Sequence, residues 1–171
     1  MALVGLIAVV VIGGIVVVAM LGRTTVQTQG AIVNSSVGAA QDRAAQSNLS
    51  TEATAMRSLY ISSNESYTTI TPSQAMSAEP TLQVVSGAQP STGPSMISLA
   101  VGDQSFVIAA RSASGTCWFN FVNDSATAAP AVSGLPYGNG DLFGSARLAG
   151  SCTADAATSV RNWSQQFPIS G

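Results

Sequence analysis

The chain opens Met1-Ala-Leu-Val-Gly-Leu-Ile-Ala-Val-Val-Val-Ile-Gly-Gly-Ile-Val-Val-Val-Ala-Met-Leu-Gly22, a stretch with no charged or hydrogen-bonding side chain before Arg23. As an α-helix it would reach about 33 Å at ~1.5 Å per residue, against a bilayer hydrocarbon core of ~30 Å. A core helix of a soluble domain keeps a polar face, and this stretch has none. A membrane-resident segment is the expectation.

The flanking charge runs against an ordinary anchor. Arg23 follows the apolar stretch and no base precedes it, so the positive-inside rule alone would leave the rest of the chain in the cytoplasm. Two cysteines in a Ser/Thr-rich, lysine-free polypeptide argue for the outside. A basic leader removed ahead of Met1, with the apolar rod retained, reconciles the two. A secretory signal peptide is instead cut after its apolar run and lost. A plain signal anchor on a secreted domain is the alternative.

Beyond the rod about 150 of the 171 residues remain, enough for one small domain and an extended helix. Charged residues are only 8% of the chain, 6 basic and 8 acidic, for a net charge of −2; every base is arginine and there is no histidine. So mild an acidic balance leaves no nucleic-acid footprint. Without histidine or lysine the usual general base, Schiff-base chemistry and the commonest metal ligand are missing. No nucleophile has a recognisable base nearby: Ser112-Ala-Ser114-Gly115 reads as a turn, and the acids are isolated. No catalytic, cofactor-binding or metal-ligating residue is therefore assigned, no cofactor is expected, and the chain is read as not an enzyme. Cys117 and Cys152 are too far apart in sequence for a Cys-x-x-Cys site, and the oxidising destination makes one structural disulfide the better reading.

From Arg23 to Tyr60 the rhythm stays helical. Val26, Val33, Val37, Ala40, Ala44, Ala45, Leu49, Ala53, Met56, Leu59 and Tyr60 form one stripe that needs a covering surface. The second half is expected to lie on the chain's own head; the first half is less readily covered that way. Asp42, Arg43, Glu52 and Arg57 read as solvated residues or weak surface pairs. Gly13-Gly14 and Gly22 are where a bend or unwound turn is expected. Thr71 is placed to cap a short helix with Pro72 at its first position, ending by Pro80.

Ser95 to Val101, Ser105 to Arg111 and Thr116 to Val122 read as strands joined by tight turns, hence an antiparallel meander. Phe106, Ile108 and Ala110 share one face, as do Cys117, Phe119 and Phe121, and one of these faces should cover the long helix. Leu142 to Leu148 is a further strand candidate, and Ala156 to Trp163 a short helix. The fold class is α+β: a long N-terminal helix, apolar in its first half, with a small antiparallel head on its second half. The divisions are residues 1–22 as rod, 23–60 as its amphipathic continuation and 61–171 as head.

Taken together, the rod, the stripe, the meander and the late cysteine pair resemble a bacterial type IV pilin over nearly the whole length. Ala45-Gln-Ser-Asn-Leu-Ser-Thr-Glu-Ala-Thr-Ala-Met-Arg-Ser-Leu-Tyr60 with Glu65-Ser-Tyr67 is similar to the family's stalk-to-head junction, and Arg111-Ser-Ala-Ser-Gly-Thr-Cys-Trp118 with Ser151-Cys152 to its head pattern. The chain departs from the family at Met1, Gly5 and Gly22, where Phe, Glu and often Pro stand. A start without that Glu also occurs in archaeal pilins and flagellins.

The resemblance implies an extracellular filament subunit at the cell surface that serves adhesion, motility or DNA uptake, membrane-inserted before assembly. Its partners would be copies of itself, the inner membrane, a prepilin peptidase and the ATP-driven assembly machinery. Met1 would carry the processed or methylated amine. Leu3, Val4, Gly5, Leu6, Ile7, Val10, Val11, Gly14, Ile15 and Val18 would line the filament core. A minor pilin, a type II secretion pseudopilin, an archaeal-type pilin and an anchored secreted enzyme are the alternatives. Five Asn-x-Ser sequons, at Asn34, Asn48, Asn64, Asn123 and Asn162, are candidate glycosylation sites. Arg111, Arg147 and Arg161 are too scattered in sequence to argue for DNA binding.

Overall fold

A computed structural model describes residues 37–136 and 138–168. The rod of residues 1–22, the processed Met1, every proposed core residue from Leu3 to Val18, the bend sites at Gly13-Gly14 and Gly22, and Asn34 lie outside the described residues. A compact unit spans Ala39–Gly171. Among the described residues no helix is long and apolar enough to cross a membrane.

The fold is α+β. Helix α1 covers 37–62, two residues past the expected end, and stops where Asn64 and Glu65 take positive φ values of 56° and 57°. That turn lets the Glu65 amide donate back to the Tyr60 carbonyl at 3.1 Å. Helix α2, Pro72–Ala78, begins as the sequence requires: Thr71 is the N-cap, Pro72 stands in the first turn, and Thr71 and Gln74 close a capping box.

Five strands follow: β1 Gln83–Ser86, β2 Met96–Val101, β3 Ser105–Arg111, β4 Cys117–Asn123 and β5 Gly140–Ala146. They form one sheet in sequence order. Strands β2 to β5 pair antiparallel, as the meander reading requires. The sheet as a whole is nevertheless mixed, because β1 pairs parallel to β2, with Val84 opposite Ile97. That edge strand is absent from the sequence reading, which corrects the purely antiparallel expectation.

Each sheet face has its own cover. Ala45, Leu49, Ala53 and Met56 of α1 share a buried cluster with Ile97, Leu99, Phe106, Ile108, Ala110, Trp118 and Val122. The alternate residues Val107, Ala109, Cys117, Phe119 and Phe121 pack with Cys152, Ala154, Ala157 and Val160 of the C-terminal segment. The expected Phe106–Ile108–Ala110 face is thus the one laid on the helix, and the Cys117–Phe119–Phe121 face is covered from behind. Burial of such side chains contributes roughly 1.5–3 kcal/mol each.

The C-terminal helix is a 3₁₀ turn over Ala154–Ser159, capped by Thr153, instead of a helix from Ala156 to Trp163. Val160 ends it in extended backbone and fills the space left by the missing Cβ of Gly144: a Cβ there would lie 2.4 Å from Val160 Cγ1. Past Val160 the chain follows β5, with Phe143 and Ser164 exchanging backbone hydrogen bonds of 2.7 and 3.0 Å.

Candidate functional site

The head fixes side chains at two places, the N-terminal end of α1 and the disulfide-tied back of the sheet. The first is set by Asp42. The sequence reads it as solvated, but it is 4% exposed, and its Oδ1 accepts from Ser114 Oγ at 2.6 Å and from Trp118 Nε1 at 3.1 Å. The turn between β3 and β4 supplies Ser114 because Gly115 takes a φ of +89° there. This buried carboxylate fixes where α1 meets the sheet. Ala45 and the stripe after it are covered. Ala40 and Ala44 are exposed, and Val37 keeps 49% of its surface.

At the other end of α1, Tyr60 stacks on Tyr67 with ring centroids 4.5 Å apart, and Tyr67 meets the edge of Phe106 at 4.9 Å. Tyr67 donates its hydroxyl to Asp124 Oδ2 at 2.6 Å. Burial first, and then the neighbouring Asp124, raise the Tyr67 phenol well above its ordinary pKa. Arg57 pairs with Asp141 at the start of β5, as a weak surface pair should. Along α1 the hydroxyls of Ser50, Thr51, Thr54 and Ser58 each donate to the carbonyl four residues back, and the Asn48 amide donates to the Pro94 carbonyl at 2.9 Å.

Glu52 corrects the other half of the surface-charge reading. It is fully buried between Leu49 and Met56, and neither carboxylate oxygen has a hydrogen-bond partner among the described residues. Burial, helped by the Glu79 carboxylate, pushes its pKa up to about 7. The signal was present in the sequence: positions 49, 52, 53 and 56 recur at three- and four-residue steps, so residue 52 belongs to the stripe.

On the back of the sheet Cys117 and Cys152 form the expected disulfide, with Cα atoms 5.5 Å apart. It joins the first residue of β4 to the segment that opens the 3₁₀ turn. Two serines hold that segment as well: Cys152 accepts at its carbonyl from the Ser91 amide at 2.8 Å, and buried Ser98 Oγ accepts from the Ala154 amide at 2.9 Å.

The sequons are distributed unevenly over exposure. Asn64 and Asn162 are exposed and Asn48 is half-buried. Asn123 is completely buried, so a sugar there would have to be attached to an amide the folded head does not present. Arg147 and Arg161, scattered in sequence, line one open cleft with Ser145, Ser159 and Asn162. Arg111 stands apart and donates to the Gly150 carbonyl at 3.3 Å. Among the described residues no cluster of His, Cys, Asp or Glu has the arrangement of a metal site.

No family model, curated protein or solved structure matches the chain.

Proposed function

We propose that this chain is a structural subunit, a major pilin, that polymerises through residues 1–22 into an extracellular filament of the type IV pilus kind. The observation that carries the reading is the division of the α1 stripe. From Ala45 to Met56 it is covered by the chain's own sheet, while Val37, Ala40 and Ala44 are uncovered and lead back in sequence to the apolar rod. An α-helix laid on a sheet, with a disulfide closing the end of the head, supports the same reading.

In this proposal residues 1–22 extend the helix as an apolar first half and exchange one oily solvent for another. Burying about fifteen large apolar side chains at roughly 1.5–3 kcal/mol each is worth tens of kcal/mol relative to water. Relative to lipid this term nearly cancels, which leaves helix packing and head contacts to decide. Extraction from the membrane then needs work from an assembly machine after a peptidase has freed Met1. A head-to-tail contact repeated with a screw rotation does not close and gives an open helical polymer. The subunit acts at the cell surface, in adhesion, motility or DNA uptake, with no enzymatic step.

Electron microscopy of filaments sheared from cells making this protein, with mass spectrometry of their main component, tests the reading. Filaments built chiefly of this chain with residues 1–22 retained are expected. Monodisperse protein in detergent-free buffer with that segment intact would overturn it. The intact mass also tests surface glycosylation at the exposed Asn64: a mass equal to the bare polypeptide removes that part of the proposal.

A further inference from the structure

We propose that the cleft between the end of β5 and the segment after the 3₁₀ turn binds a saccharide that carries an oxyanion, whether carboxylate, sulfate or phosphate. The inference goes beyond the filament reading and does not depend on it. Two of the chain's six basic side chains, Arg147 and Arg161, line this one concavity. Neither makes an ion pair or a side-chain hydrogen bond among the described residues, and no acidic residue lines the cleft. Two guanidinium groups in one recess, with no counter-charge among the described residues, suit an anion, since arginine's forked donors match carboxylate, sulfate and phosphate oxygens in pairs.

The remainder of the lining selects among anions. Ser145 and Ser159 contribute hydroxyls and Asn162 an amide, which can donate to and accept from sugar hydroxyls, while Leu148 offers apolar surface to the C–H face of a ring. A volume of about 490 Å³ falls within the range of small-ligand sites, ~300–1,000 Å³, and exceeds what a bare oxyanion fills. A polyanion such as DNA would instead need a basic stripe, and the whole chain carries a net charge of −2.

The cleft is also built to hold its shape. One wall starts at the end of β5, where Ser145 and Ala146 pair with Trp118 and Cys117 of β4, and continues through Arg147 and Leu148. The other is clipped to it by the Phe143–Ser164 pair. It is backed by Trp163, whose ring lies 6.5 Å from Phe119 and 6.1 Å from Phe121. A preformed recess spends little binding energy on ordering itself.

Titration calorimetry on the full chain in detergent micelles at fixed ionic strength tests this, with glucuronate, glucose 6-sulfate and glucose 6-phosphate as ligands and with glucose and inorganic phosphate as controls. At least one anionic sugar is expected to bind about tenfold or more tightly than both controls, and the order among the three identifies the preferred oxyanion. The double variant Arg147→Ala/Arg161→Ala should lose about tenfold or more in affinity, with an unchanged near-ultraviolet dichroism spectrum. Arg43→Ala, on the exposed side of α1, should bind as the parent does. The proposal is overturned if no anionic sugar outbinds glucose, if inorganic phosphate binds equally well, or if the double variant, still folded, keeps its affinity. Displacement of the sugar by a short DNA duplex, with a steep salt dependence, would reassign the cleft to polyanions and overturn it equally.

Discussion

A buried carboxylate at position 52 makes the stability of the head depend on pH. Glu52 lies wholly inside the cluster between α1 and the sheet, and its pKa moves from 4.5 to about 7. Between those two values the folded chain binds more protons than the unfolded chain, so the contribution of this group to stability is fully present below about pH 4.5 and declines as pH rises. It is lost once the pH passes about 7. A displacement of that size corresponds to about 3 kcal/mol. Glu52→Gln removes the titration while keeping the shape. The variant should unfold at nearly the same urea concentration as the parent at pH 4 and at a clearly higher one at pH 8. Parallel pH profiles for the two proteins would show that the carboxylate is hydrated or paired. Gly144 is a second sensitive residue, on steric grounds. With Val160 Cγ1 only 2.4 Å from where a Cβ would stand, Gly144→Ala forces Val160 to shift against β5, with an expected loss of about 1–3 kcal/mol and a change in the fluorescence of the neighbouring Trp163. A fluorescence spectrum and melting point equal to the parent's would mean that Val160 moves aside freely.

Among the elements, those whose local chemistry is self-sufficient were readable. The start of α2 is spelled out by Thr71 and Pro72, and the structure adds Gln74, which completes a capping box. The alternation in β3 and β4 assigns both faces before any partner is known. Strand β1 escaped because Gln83–Ser86 has only four residues, set between Pro80 and the Gly87 turn, and it becomes a strand only through the β2 edge beside it. The C-terminal turn departs from the sequence expectation for a related reason: Val160 leaves it in extended backbone and packs where Gly144 lacks a Cβ, a contact that no local propensity signals. Asp42 and Glu52 show how a charge misleads when read alone, since one is buried by partners on a distant turn and the other simply follows the stripe. The Arg147–Arg161 cleft depends on the return of the chain along β5 and was beyond reach of spacing. The disulfide, by contrast, was legible, and it closes a span of 35 residues. Replacing Cys117 and Cys152 together by alanine should lower stability by about 3–4 kcal/mol. Urea unfolding of the two proteins measures this, and the 3₁₀ turn should be the first segment to gain hydrogen exchange. A difference below about 1 kcal/mol would mean that the Ser91 and Ser98 contacts already hold the segment.

For the molecule as a whole, the division between a self-covered head and an apolar leading segment has a direct consequence. The compact unit begins at Ala39, and its core draws on α1 only from Ala45 onward. The head therefore has what it needs to fold without residues 1–22, whereas the proposed filament does not form without them. Deleting 1–22 should yield a monodisperse monomer in detergent-free buffer, with the melting point of the detergent-solubilised parent head and no filaments at the cell surface. A truncated chain that still polymerised would place the subunit contacts in the head and remove the apolar rod from the mechanism. The rod can be probed without deleting it. At position 5 the pilin pattern has Glu and this chain has Gly, so an amine on Met1 would stand in the filament core without a side-chain carboxylate from its own chain. Gly5→Glu supplies that carboxylate. If the amines of neighbouring copies lie close to this position, the variant should assemble as well as the parent or better, as judged by sheared filament yield, because two charges that can pair are cheaper to bury than one alone. Complete loss of filaments in Gly5→Glu, with the protein still present in the membrane, would mean that the core at this level is packed too tightly or too far from any amine to take a carboxylate, and the rod would then assemble on apolar packing alone.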